Sequence, residues 1–200
     1  MNPVRSIVRC GIAGWLAAGA ASALDLRSPD GHLAVRFEVK SDGDAAGVPV
    51  YRIDYKGNSI IAESRLGLDI EGAPLLGGLA VAGTTAGGSD NTWKPVCGER
   101  AQVRDHYNEL AVDLQETAAP GRRLRITFRA YDEGAAFRYE LPKQPGLHAV
   151  RIAREATEFR FAADAPAWVT TSGQGVYDKV PLGAIKPGCE RPLVVELGGP

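Results

Sequence analysis

The sequence predicts an all-β protein, an antiparallel sandwich of two sheets, and three observations carry that expectation. Almost every readable segment after Leu24 alternates apolar and polar residues with period two. Short turn signals separate these segments. There are 24 glycines and 13 prolines in 200 residues, well above an average usage of about 12%. No window longer than about ten residues holds an apolar stripe with the helical period.

The strands are justified in chain order. Leu33, Val35, Phe37 and Val39 alternate with Ala34, Arg36, Glu38 and Lys40, giving one apolar and one wet face, as antiparallel sheets have. Tyr51, Ile53 and Tyr55 alternate with Arg52, Asp54 and Lys56. Further on, Leu110, Val112 and Leu114 oppose Asp113 and Gln115, and Leu124, Ile126 and Phe128 oppose Arg125, Thr127 and Arg129. Phe137, Tyr139 and Leu141 face away from Arg138 and Glu140, and Phe159 and Phe161 flank Arg160. The turns between them are Ser28-Pro29-Asp30-Gly31, Lys56-Gly57-Asn58, Ala119-Pro120-Gly121, Asp132-Glu133-Gly134 and Gln144-Pro145-Gly146. Residues 72–92, rich in Gly, Ala and Thr, read as a long loop or weak edge strands. Residues 170–191 read as an extended excursion, after which residues 192–197 (PLVVEL) begin another strand. About ten strands over this length suit a large two-sheet sandwich. A strand entering the turn Gly198-Gly199-Pro200 reads as a domain cut short.

The first 23 residues read as a leader. Arg5 and Arg9 supply a positive start, residues 11–20 (GIAGWLAAGA) a short apolar run, and Ala21-Ser22-Ala23 a small-residue cleavage site. The run is shorter than the roughly 20 residues a membrane-spanning helix needs. The expectation is cleavage after Ala23 and a periplasmic or secreted domain over residues 24–200 with no membrane contact once the leader is gone. A buried N-terminal helix is the alternative. Arg9 stands where a lipoprotein signal at Cys10 would need a small residue. Formal net charge is −1 and no block of Lys or Arg occurs, which argues against a nucleic-acid partner.

Cys97 and Cys189 remain after the leader. In an oxidising compartment they either close one disulfide, worth about 4 kcal/mol for so long a loop, or stay as two free thiols. With no CxxC and no Cys/His cluster, zinc and thiol catalysis are disfavoured. GxSxG, P-loop and HExxH signatures are absent, and His32, His106 and His148 are scattered. Asp132 and Glu133 sit in an apparent hairpin turn and Glu140 on a wet strand face, so solvation explains them better than a glycosidase pair.

Residues 90–110 (DNTWKPVCGERAQVRDHYNEL) are unlike the rest. Trp93, Glu99, Arg104, Asp105, His106, Tyr107, Asn108 and Glu109 crowd a stretch that is neither a clean strand nor a polar loop. It reads either as a surface for a sugar or a second domain, or as a corner of the sandwich held by buried polar groups. Aromatic faces stack on sugar rings and carboxylates accept their hydroxyl hydrogen bonds. Trp93, Tyr107 and Trp168 are the aromatic candidates, with core packing expected for at least two of them.

Here the chain resembles a known family. LRSPDGHLAVRFEV, YRIDYKGNSIIAESRLGLDI, NTWKPVCGERAQVRDHYNEL, FRAYDEGAAFRYELP and EATEFRFAADAPAW, in that order, are similar to the N-terminal domain of glycoside hydrolase family 97. The resemblance implies an exported α-glucosidase or α-galactosidase whose N-terminal β-super-sandwich, resembling the galactose-mutarotase fold, packs on a (β/α)8 barrel. It implies that the catalytic carboxylates and most calcium ligands lie in the barrel, and that the one calcium-binding Glu of the N-terminal domain falls beyond Pro200. No catalytic or metal residue is therefore expected in this chain. Trp93, Glu99, His106, Tyr107, Asn108 and Glu109 are candidate contacts to sugar or barrel. Cys97 departs from the family string W-x-P-x-W-G-E, which has Trp at that position. Two rival readings are a free-standing carbohydrate-binding module and a self-contained mutarotase, the latter short of an acid and a base.

Overall fold

The computed structural model describes residues 23–145, 147 and 149–198. The leader reading on residues 1–22, the glycine of the Gln144-Pro145-Gly146 turn and His148 lie outside the described residues. Fourteen strands follow one another: β1 (Leu24–Arg27), β2 (Leu33–Asp42), β3 (Ala45–Tyr55), β4 (Asn58–Arg65), β5 (Leu68–Ile70), β6 (Leu79–Trp93), β7 (Val103–Glu116), β8 (Arg123–Tyr131), β9 (Gly134–Glu140), β10 (Ile152–Glu155), β11 (Arg160–Phe161), β12 (Pro166–Val169), β13 (Asp178–Pro181) and β14 (Val194–Val195). A 3-10 turn, Leu182–Ala184, follows β13. Every recorded pairing is antiparallel.

Two main sheets form the sandwich, one in the order β1-β2-β3-β4-β11 and the other β6-β7-β8-β9. The alternation read from the sequence decides which faces meet. Leu33, Val35 and Phe37 from β2, Leu110, Val112 and Leu114 from β7, and Leu124, Ile126 and Phe128 from β8 all enter one buried cluster. Across the sheets Phe37 meets Phe128 with ring centroids 5.6 Å apart and Tyr51 meets Phe137 at 5.4 Å, and within the four-stranded sheet Phe128 meets Phe137 at 5.8 Å. These tilted contacts suit aromatic quadrupoles. Buried Tyr51 keeps its hydroxyl satisfied by donating to the Glu158 carbonyl at 2.8 Å, which ties the crossing segment before β11 to the sandwich.

Local chemistry sets the connections. Lys56 (φ 48°) and Gly57 (φ 82°) form the two-residue turn between Tyr55 and Asn58, in the left-handed conformation that twists with the flanking strands. Gly47 is required for a second reason: a Cβ there would lie 2.5 Å from the backbone of Leu79, where β3 passes the start of β6. Asp30 caps the turn after β1. Its carboxylate accepts from the Ser28 hydroxyl at 2.6 Å, the His32 amide at 2.9 Å and the His32 ring at 2.9 Å, and these bonds hold its pKa at about 2.

Three stretches resolve differently from, or more finely than, the sequence reading. Residues 72–92, left between loop and edge strand, contain most of β6, the outer edge of the four-stranded sheet. Residues 90–110 are neither a corner nor a mixed segment; they are the two limbs of the β6–β7 hairpin. The 170–191 excursion holds β13, which pairs with β12, and PLVVEL contributes only the two-residue β14 on the other side of β12. There Glu196 accepts from Trp168 Nε1 at 2.7 Å and from Lys179 at 2.6 Å, closing this small sheet.

Phe128 is 1% exposed at the centre of the aromatic contacts, so Phe128→Ala should lower stability by about 3–5 kcal/mol in denaturant titration. For Asp30 the depressed pKa means that stability is gained above the unfolded value near 3.8 and lost as pH falls toward 2. Asp30→Asn should therefore be less stable than the parent at neutral pH, with the gap in melting temperature closing between about pH 4 and 2.

Candidate functional site

The β6–β7 hairpin is longer than the sheet that carries it. β8 pairs with β7 only from Asn108 to Gln115, so residues 103–107 of β7 have β6 as their sole strand partner. Together with residues 89–93 and the exposed loop 94–102, they form a two-stranded arm extending past the sandwich. An isolated two-stranded ribbon is marginal in water, and this one is held by polar bonds. Asp90 receives two bonds from Arg104, at 2.6 and 2.7 Å. Asn108 Nδ2 donates to the Arg27 carbonyl at 2.9 Å, tying the arm's base to the end of β1. The Arg104 guanidinium lowers the Asp90 pKa, and that carboxylate raises Arg104 in turn.

The strand period divides the candidate residues between two faces. Leu110, Val112 and Leu114 face the core, so His106 and Asn108 share that side, and His106 sits across from Asp90. Tyr107 and Glu109 lie on the opposite, outer face, as does Trp93, which pairs with Val103. Glu99 and Cys97 belong to the exposed loop and to neither face. Trp93 and Tyr107 are four strand positions apart, about 14 Å, and do not form one platform.

Tyr107 is already engaged. The Arg129 guanidinium lies over its ring at 4.1 Å and donates to Glu109 at 2.7 Å, while Tyr131 packs against it at 5.2 Å. The Glu109 carboxylate drives the Arg129 pKa upward. Arg129 and Tyr131 were not among the sequence candidates. Their signal was available in the wet-face period of β8, but it becomes meaningful only once register sets Glu109 directly across from Arg129. The same logic pairs Asp113 with Arg125 at 2.7 Å.

None of the three aromatic candidates is in the core, a correction to the expectation for at least two of them. Trp93 is 53% exposed and Trp168 37% exposed. The reason is position: Trp93 ends the outer face of the arm, and Trp168 bonds Glu196 with Lys179 5.4 Å from its ring centroid. Cys97 and Cys189 stand apart as free cysteines, the first exposed and the second partly so. Cys97 lies in the arm's loop and Cys189 in the segment between β13 and β14.

Acid catalysis by a carboxyl group needs a raised pKa. Asp90, Asp113, Glu116 and Glu196 move the other way, each held down first by a hydrogen bond from an arginine or lysine. Asp132 and Glu133 form the β8–β9 turn, where Asp132 accepts the Asp30 amide at 2.9 Å, and Glu140 lies 3.5 Å from Arg138. Among the described residues no group of three His, Cys, Asp or Glu side chains is gathered to hold a metal ion. No helix among them is long and apolar enough to cross a membrane.

The fold and this surface define an antiparallel β-sandwich domain with an arm of exposed polar and aromatic groups. The family model described as Glycosyl-hydrolase 97 N-terminal matches residues 26–199, and the chain belongs to that family. A retaining α-galactosidase of Bacteroides thetaiotaomicron is 26% identical over 145 residues, covering 72% of this chain and 20% of that protein. A probable retaining α-galactosidase of Streptomyces bingchenggensis is 26% identical over 123 residues, covering 62% and 18%. Among solved structures, a glycoside hydrolase family 97 enzyme from Pseudoalteromonas sp. strain K8, in complex with acarbose, superposes with TM-score 0.77 at 28% identity. That match covers 86% of this chain and 26% of the enzyme. The chain thus spans about a fifth to a quarter of the length of these relatives. It is homologous to the N-terminal part of larger hydrolases that carry a further, catalytic portion.

Proposed function

We propose that this chain is the N-terminal, barrel-packing and carbohydrate-associated domain of an exported α-glycoside hydrolase acting on α-linked oligosaccharides or galactosides. The observation that carries the reading is the family match over residues 26–199, set against relatives four to five times as long in which the match covers only the shared portion. The signal-like residues before Leu24 support export to the periplasm or beyond. In this reading the acid, base or nucleophilic carboxylates come from a (β/α)8 barrel of the same polypeptide. Any calcium the full enzyme uses would likewise be held mainly by groups outside this chain.

The chain's own residues would supply a surface. On the outer face of the arm, Trp93 presents an open indole, and Arg129, Glu109 and Tyr131 hold Tyr107 in one orientation. Glu99 adds a carboxylate in the exposed loop. On the inner face, Asn108 braces the arm against β1 and would act through its position, while His106 stands across from Asp90. A self-standing carbohydrate-binding module is the rival, and the exposure of Trp93 is the one feature that favours it.

Two measurements test this together. The isolated chain should show no hydrolysis of nitrophenyl α-glucoside or α-galactoside above buffer, and turnover that survives purification would refute the assignment of catalysis to another domain. Trp93→Ala should remain folded by circular dichroism with stability within about 0.5 kcal/mol of the parent, as an exposed substitution does. If the parent binds maltooligosaccharide or galactoside on its own and this variant loses that binding, the free-standing module replaces the domain reading.

A further inference from the structure

The edge of the four-stranded sheet is thinly protected, by one pairing irregularity between Val81 and Gly83 and one charge, Asp90. β6 is a 15-residue strand with β7 on one side and, among the described residues, no strand on the other. Natural edges are blunted by lysine, proline, shortness or a cover. β6 has no lysine, arginine or proline along its length, and nearly every residue after Leu79 is exposed. Its single charge, Asp90, is already consumed by the two bonds from Arg104 of the same chain.

The sequence of this edge is complementary to itself. An antiparallel twofold pairing centred on Gly87 sets Thr85 across from Ser89 of the second copy and Thr84 across from Asp90. Hydroxyl pairs of this kind stabilise neighbouring strands, and no like charges meet. Thr84 and Asp90 share the inner side of β6, and Thr85 and Ser89 the outer side, so each cross-pair falls on one face of the combined sheet. At the axis Gly87 and Gly88 remove side chains where two backbones come together, a recurrent use of glycine in strands. A pairing related by a twofold axis uses the same patch on both copies and closes on itself.

We propose that β6 is a homodimerisation edge, through which two copies of this chain join their four-stranded sheets into one continuous eight-stranded sheet. Gly87 gives a clean test, because a Cβ built there meets nothing within 4 Å and its backbone is not left-handed. Light scattering and sedimentation equilibrium of the purified chain, up to submillimolar concentration, should show a reversible dimer. Gly87→Lys and Gly87→Asp each put like charges across the axis and should raise the dimer dissociation constant by roughly fivefold or more. Mixing the two variants should restore dimers, now mixed, while Gly87→Ala stays close to the parent. Two results overturn the proposal: a parent that is monomeric throughout, or a dimer that neither charged variant weakens. Circular dichroism of both variants confirms that any loss is of association and not of fold.

Discussion

Phe37 on β2 and Phe128 on β8 come from different sheets, and their contact at 5.6 Å is the point at which two amphipathic sheets become one domain. Neither sheet could stand with its apolar face in water, since burial of that face is the main favourable term in folding. Phe137 and Tyr51 extend the contact to β9 and β3, and the Tyr51 hydroxyl carries it on to the segment that leads into β11. Once this seam is closed, the inner face of β7 is committed, and with it which side chains of the arm point toward β1 and which point away. The chemistry of the surface is therefore a consequence of core register.

That dependence explains what could be read in advance. β2, β7, β8 and β9 were legible because a residue that faces the core every second position leaves an unmistakable period. β4 was not, because the pairing shifts between Tyr51↔Ser64 and Ile53↔Ile61, so that Ile61 and Ser64, three apart, both turn inward. β6 hid its identity by having almost no core contact after Leu79, so no alternation was needed. Of the short strands, β11 was signalled by Phe159 and Phe161 around Arg160 and β14 by PLVVEL, whereas β10, β12 and β13 carry too few residues for any period to show.

The candidate surface was legible as composition and not as geometry. The crowding of Trp93, His106, Tyr107 and Glu109 was visible, yet the division of these residues between two faces needs the pairing with Val103, Asp90 and Ser89. Arg129 and Tyr131 could not be joined to this surface for the same reason: they are twenty or more residues away and become neighbours only through the β7–β8 register. The free state of Cys97 and Cys189 could not be decided by counting cysteines, since spacing in sequence says nothing of approach in space.

Ion pairing completes the account by assigning the acids a structural role. Asp113 and Glu109 each bond an arginine on β8, and Glu116 bonds Arg122 in the β7–β8 connection, so their charge is spent on joining β7 to its surroundings. The most direct measurement is the intact mass of the native gene product, isolated from its source. The account predicts a polypeptide several times the 21.2 kDa of this chain. A native product no heavier than this chain would contradict it.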